Sequence, residues 1–166
     1  MNSIKESPII PIFIVLIGLL VVGIFLKRTP PVIAPSPSTT PKAATIVKIK
    51  NKNLNVKVAK TSEELQKGLG GVASMTDDEG MLFVFPVKDT RQTFWMKGTL
   101  MSLDIFWIND GKVKQISANL PVPSPSTPDN QLPLYPSNDP VDYVLETAGG
   151  FAQRYDIKVG DEVIIP

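Results

Sequence analysis

Apolar and polar residues alternate with period two through TIVKIK at residues 45–50 and LNVKVA at 54–59. That is the pattern of strands that bury one face and wet the other. Asn51, Lys52 and Asn53 lie between them and tolerate turn conformations, so the two runs predict a hairpin. The rhythm then changes. In TSEELQKGLGG, Thr61 and Glu64 have capping-box spacing, and the glycines from Gly68 to Gly71 stop a helix after about two turns. MLFVF at 81–85, closed by Pro86, reads as a short buried strand. Further strands are predicted at 93–96, 103–108 and 112–118, the last two joined by Asn109-Asp110-Gly111, a strong hairpin signal. Seven prolines fall within residues 120–140 and predict a long exposed loop without regular structure, in which Tyr135 is the one aromatic able to pin the loop down. A strand at 141–146, at most two helical turns in AGGFAQRY and a strand at 161–165 complete the pattern.

Eight short strands and two brief helices predict a mainly β fold, a small β-sandwich or barrel, in place of alternating βαβ units. Before it stands a different kind of segment. Residues 9–26, IIPIFIVLIGLLVVGIFL, carry no charge over 18 positions and as a helix cover about 27 Å, enough to span a bilayer. Lys27, Arg28, Thr29, Pro30 and Pro31 follow directly, where a cleaved signal peptide would place small residues, so a retained transmembrane helix is expected. The chain has no cysteine, which excludes a lipoprotein anchor. The expected organisation is a tail at 1–8, the span at 9–26, a Pro-rich linker at 27–41 and the β domain at 42–166. Lys27 and Arg28 against Lys5 favour a cytoplasmic domain by the positive-inside rule. The extended proline stalk favours holding it away from the membrane, and a single-pass protein with an extracytoplasmic C-terminal domain is the expectation adopted.

Composition narrows the chemistry. Cysteine and histidine are absent, so thiolate nucleophiles, disulfides, Cys/His zinc sites and imidazole bases are excluded. A net charge of +1 gives no basis for nucleic acid as a partner. No metal or cofactor motif is visible: the glycines at 68–71 lack the Lys-Ser/Thr of a phosphate loop, and Asp77, Asp78 and Glu79 lack calcium-loop spacing and read as a solvated turn. The lysines of residues 42–60 follow strand alternation, as expected of a solvated face.

Four ordered segments carry a family resemblance: VKVAKTSEELQKGLGG, EGMLFVFP, TFWMKGTLMSLDIFWI and YVLETAGGFAQRYDIKVGDEV. The chain resembles the domain of unknown function 192 family over residues 54–163. The resemblance implies a small, mainly β, sandwich-like or barrel fold, often attached to an export signal or membrane segment, and implies no catalytic residue. Gly98 stands where an Asn is common in the family, Gly70 and Val72 where a Met and an Arg close the helix end, and Thr147 where another Asn is common.

Candidate site residues follow from strand geometry. Around FWMK, Phe94 and Met96 point to one face while Arg91, Trp95 and Lys97 point to the other. The latter stripe is either a ligand platform for a sugar, carboxylate or peptide, or surface packing. Asp104, inside LDIFWI, needs a donor such as Lys97, Thr99 or Ser102; it is either a tuned acid, or the holder of a lysine proton, or else part of a structural ion pair or a loop-fixing hydrogen bond. Glu146 is a possible partner for Asp104, in the manner of a two-carboxylate glycoside hydrolase. The predicted ligand-binding set is therefore Arg91, Trp95, Lys97, Asp104 and Glu146, in a membrane-tethered envelope binding or accessory module for a small molecule, glycan or protein. The alternatives are a hydrolase acting on a glycan or envelope polymer through Asp104 and Glu146, and an assembly protein recruiting a partner through loop 120–140.

Overall fold

The computed structural model describes residues 45–166. The tail at 1–8, the expected transmembrane helix at 9–26 and the linker at 27–41 lie outside the described residues. Strands β1 (Thr45–Ile49) and β2 (Lys52–Ala59) form the expected hairpin, with Lys50 at positive φ in a turn one residue earlier than anticipated. Helix α1 (Ser62–Lys67) has the anticipated capping box: Thr61 Oγ1 accepts from Glu64 N, and the Glu64 carboxylate accepts from Thr61 N. Gly68, at φ 50°, ends it.

From there β3 (Glu79–Val84) returns parallel to β2. This β2-α1-β3 crossover is a single βαβ unit inside a fold that the strand pattern predicts to be a sandwich or barrel without alternating βαβ units. The physical reason is that α1 lays Leu65 and the following Leu69 on the outer face of the sheet, so the chain re-enters from the same end. After β4 (Thr93–Trp95), the strands β5 (Leu103–Asn109) and β6 (Lys112–Leu120) make the anticipated hairpin, with Asp110 and Gly111 both at positive φ.

The Pro-rich region is more ordered than expected. It contains a 3-10 turn at Asp129–Gln131 and strand β7 (Leu134–Pro136), which pairs with β4. Pro136 stands at the end of a two-stranded ribbon, where its missing N–H breaks no ladder. Tyr135 does pin the segment, packing half-buried among the core residues beneath it. Strand β8 (Tyr143–Ala148), the single-turn α2 (Phe151–Arg154) and β9 (Val163–Ile164) follow.

The seven-stranded sheet runs β6-β5-β8-β3-β2-β1-β9. A bridge between Lys112 and Glu162 brings β9 back to β6, so the sheet is nearly closed and barrel-like. Its inside is filled by Val47, Ile49, Leu54, Val56, Leu82, Phe106, Ile108 and Leu145, with Phe151 of α2 set edge-on to Phe106 at 6.0 Å. A second apolar layer lies on the other face of β3, β8 and β5, under α1 and the β4-β7 ribbon. There Phe94 stands edge-on to Phe83 at 4.8 Å and to Trp107 at 5.4 Å. Because both faces of the central strands are covered, β5 reads as one unbroken buried run, LDIFWI. The carboxylates in these central strands therefore set the problem of the fold.

Candidate functional site

Asp104 on β5 is fully buried. Its Oδ1 accepts from Asn119 N at 2.6 Å and Gly150 N at 2.9 Å, and its Oδ2 from Ala152 N at 2.7 Å. Three backbone donors thus hold one carboxylate, tying β6 and the start of α2 to β5. Lys97 does not reach it. The Lys97 ammonium instead pairs with Asp129 Oδ2 at 2.5 Å and lies 5.2 Å from the Trp95 ring centroid. The expected Lys97–Asp104 contact is replaced because the chain after β4 crosses the outer layer, whereas Asp104 points to the inner one.

Glu146 on β8 is the opposite case. Register places Ile105 across from Glu146 and Thr147 across from Asp104. Directly opposed residues share a face, so Asp104 and Glu146 point to opposite faces of the same sheet. The expected carboxylate pair does not exist, and with it goes the two-carboxylate hydrolytic arrangement. Glu146 is 3% exposed, and its Oε2 has no hydrogen-bond partner among the described residues. Burial pushes its pKa up to about 8. At neutral pH the group is mostly a neutral acid, able both to donate and to accept.

A small recess of about 20 Å3 opens over Glu146, with room for about one water molecule. Trp95 and Lys97 line it from the β4 side and Lys67 and Gly68 from α1, with Thr99 and Phe83 beside them. Three of the five predicted site residues are therefore brought together: Trp95, Lys97 and Glu146. Trp95 is half-buried and Lys97 exposed, as the strand alternation requires, while Phe94 and Met96 turn into the core. Arg91 is exposed and does not line the recess, and Asp104 is separated from it by the sheet.

Lys67 and Gly68 escaped sequence reasoning, because the helix stop at Gly68 carries no sign of what it will face. A larger groove of about 900 Å3 was likewise not anticipated. It lies over the wet face of β2 and is bounded by α1, with Lys57, Lys67, Glu79 and Met81 among its walls. Its acids are engaged: Glu79 accepts from Thr76 N and Oγ1, which holds its carboxyl below the usual range, and Glu64 caps α1. Size therefore favours this groove and chemistry favours the recess; the recess holds the one buried side-chain polar atom left without a partner among the described residues.

The acidic run is a paired surface, as the solvated-turn reading has it. Arg154 donates to both oxygens of Asp77, from Nε at 3.1 Å and Nη2 at 2.6 Å, which with Tyr155 lowers the Asp77 pKa. Asp78 faces Lys52 at 3.4 Å. Among the described residues no cluster of metal-ligating side chains occurs. Of the four departures from the family pattern, Gly70 and Gly98 fall together beside the recess, where Gly71 N donates to Gly98 O at 2.9 Å. Thr147 is buried on the Asp104 face.

A nearly closed β sheet whose outer face is roofed by a short helix and a two-stranded ribbon defines the class of domain. The chain belongs to the DUF192 family, described as uncharacterized ACR, whose profile matches residues 45–165. It is similar to a crystal structure from Novosphingobium aromaticivorans DSM 12444 of a protein of unknown function, at 32% identity and a TM-score of 0.65, covering 79% of this chain and 94% of that one. It is also similar to a "putative transcription regulator" from Sinorhizobium meliloti 1021, at 29% identity and a TM-score of 0.65, covering 74% and 93% of the two chains. No curated protein matches it.

Proposed function

We propose that this chain is a membrane-tethered binding or accessory module of the cell envelope, taking its ligand at the recess between Trp95, Lys97 and Glu146. The observation that carries the binding reading is the unpartnered Glu146 Oε2. Leaving a polar atom buried without a hydrogen bond costs about 1–3 kcal/mol, and such atoms need a reason. Here the atom lies under a recess whose rim offers an indole and an ammonium, the groups that give a ligand apolar contact and charge. The tether rests on the apolar run at 9–26 and the stalk at 27–41, and the extracytoplasmic placement on the stalk alone.

The test uses the full chain in detergent, immobilised and exposed to an envelope extract. Trp95→Ala and Lys97→Ala should each remove most of the captured material while amide spectra stay native. Equal capture by wild type and both variants would refute the site. Alkaline washing should leave the full-length chain in the membrane fraction, and its release would refute the integral tether. A protease added outside intact cells should cut the domain; protection that disappears only on lysis would put the domain inside.

A further inference from the structure

We propose that the recess over Glu146 binds a carboxylate group of the ligand, with the Glu146 carboxyl as hydrogen-bond donor and Lys97 as counter-ion. This rests on the binding reading above and gives its ligand a chemical class. Four observations converge. The floor of the recess is a 97% buried carboxyl with an unpartnered oxygen. The volume of about 20 Å3 admits one oxygen-sized group and no more, so the remainder of the ligand lies outside it, against the lining side chains, of which Trp95 offers the largest apolar face. Of the charged side chains lining the recess, Lys67 and Lys97 are cations and Glu146 is the single acid. Lastly, Lys97 already holds a carboxylate, that of Asp129 from the Pro-rich segment, at 2.5 Å. Asp129 displays the chemistry Lys97 accepts and competes with an incoming ligand for it.

The neighbouring elements add no charge that reverses this. Strand β5 presents Ile105 opposite Glu146, and β3 presents Met81 and Phe83. Glu79, further along β3, is bonded to Thr76, and Glu64 on α1 caps its own helix. An ammonium ligand would have to pass two lysines and ionise Glu146 in an apolar setting. A carboxylate is drawn in by the same lysines and meets a neutral acid, since burial holds Glu146 protonated up to about pH 8. The product is a carboxyl–carboxylate pair sharing one proton through a short charge-assisted bond, with no covalent change.

The experiment is an NMR titration of the full chain in detergent with sodium acetate and sodium benzoate, with methylammonium chloride and inorganic phosphate added separately at equal ionic strength. Both carboxylates should bind saturably at pH 6.5, with benzoate tighter because its ring covers Trp95. Affinity should stay level up to about pH 8 and fall about tenfold per pH unit above it, as free Glu146 ionises. Glu146→Gln keeps a donor and should keep binding while losing that fall. Asp129→Asn frees Lys97 and should tighten binding roughly two- to fivefold, the scale of one exposed ion pair. Preferential binding of methylammonium, tighter binding of phosphate, a wild-type affinity level through pH 10, or no saturable carboxylate binding would each overturn the proposal. If carboxylates fail while Trp95→Ala still removes envelope capture, the ligand class is wrong and the site stands; if both fail, the site falls too.

Discussion

Two carboxyls sit one strand apart in the middle of the same sheet and meet opposite fates. Asp104 faces the inside and receives three backbone N–H groups; Glu146 faces the outer layer, and its Oε2 receives none. Burial is nearly equal, so burial does not separate them. What separates them is the availability of donors: the ends of β6 and α2 leave N–H groups that the ladder cannot use, and Asp104 collects them. Over Glu146 no neighbour reaches Oε2: Phe83, Phe94 and Trp95 line the recess, the Thr99 hydroxyl donates to Met96 O, and the Lys97 ammonium is turned to Asp129. The same residue chemistry thus makes a structural rivet on one face and an open polar position on the other.

The largest effect of a substitution is expected at Asp104. Asp104→Ala strands the buried N–H of Ala152 and removes the acceptor of the part-buried N–H groups of Asn119 and Gly150, so unfolding by urea should show a loss of about 2–4 kcal/mol. A loss under about 1 kcal/mol would mean that the rivet holds little.

Glu146 should behave in the reverse sense. Its folded pKa lies above the ordinary 4.5, so the stability of the folded state is full below about pH 4.5 and declines as pH rises, until the folded group itself ionises near pH 8. The total decline is on the order of 5 kcal/mol. Glu146→Gln, which cannot ionise, should therefore lack this part of the pH slope between about pH 4.5 and pH 8. Wild type and Glu146→Gln with the same slope over that range would contradict a raised Glu146 pKa.

Smaller effects are expected at Gly150 and Lys97. Gly150 donates its N–H to Asp104 at φ 79°, and an added Cβ would come within 2.9 Å of Arg154 Nη1. Gly150→Ala should cost about 1 kcal/mol by chemical denaturation, through backbone strain that loosens the rivet. Lys97→Ala should change stability by less than about 1 kcal/mol, because the Lys97–Asp129 pair is exposed. A larger loss would reassign Lys97 from ligand binding to structure.

Much of this architecture is legible in the residue pattern. Alternation located β1 and β2, Asp110-Gly111 located the β5-β6 hairpin, Thr61 with Glu64 located α1, and the two faces of FWMK sorted core from rim. What local pattern cannot carry is which distant segments meet. β7 was hidden because its three residues form a strand only against β4, some forty positions away, and prolines mask the tendency. The parallel return of β3 depends on where α1 docks. Above all, the relation of Asp104 to Glu146 is fixed by the β5-β8 register: a slip of one residue would place them on the same face. Lys97 is exposed on the face that strand alternation assigns it, opposite Phe94 and Met96, yet its acid is Asp129, which a turn in the Pro-rich segment delivers.

The most direct test is to follow the Glu146 side-chain carboxyl carbon by NMR in the full chain, labelled at glutamate and assigned with Glu146→Gln, from pH 4 to pH 10. The account predicts a midpoint near 8, with the carboxyl protonated at neutral pH. A midpoint near 4.5 would mean a solvated or partnered carboxylate and would contradict it.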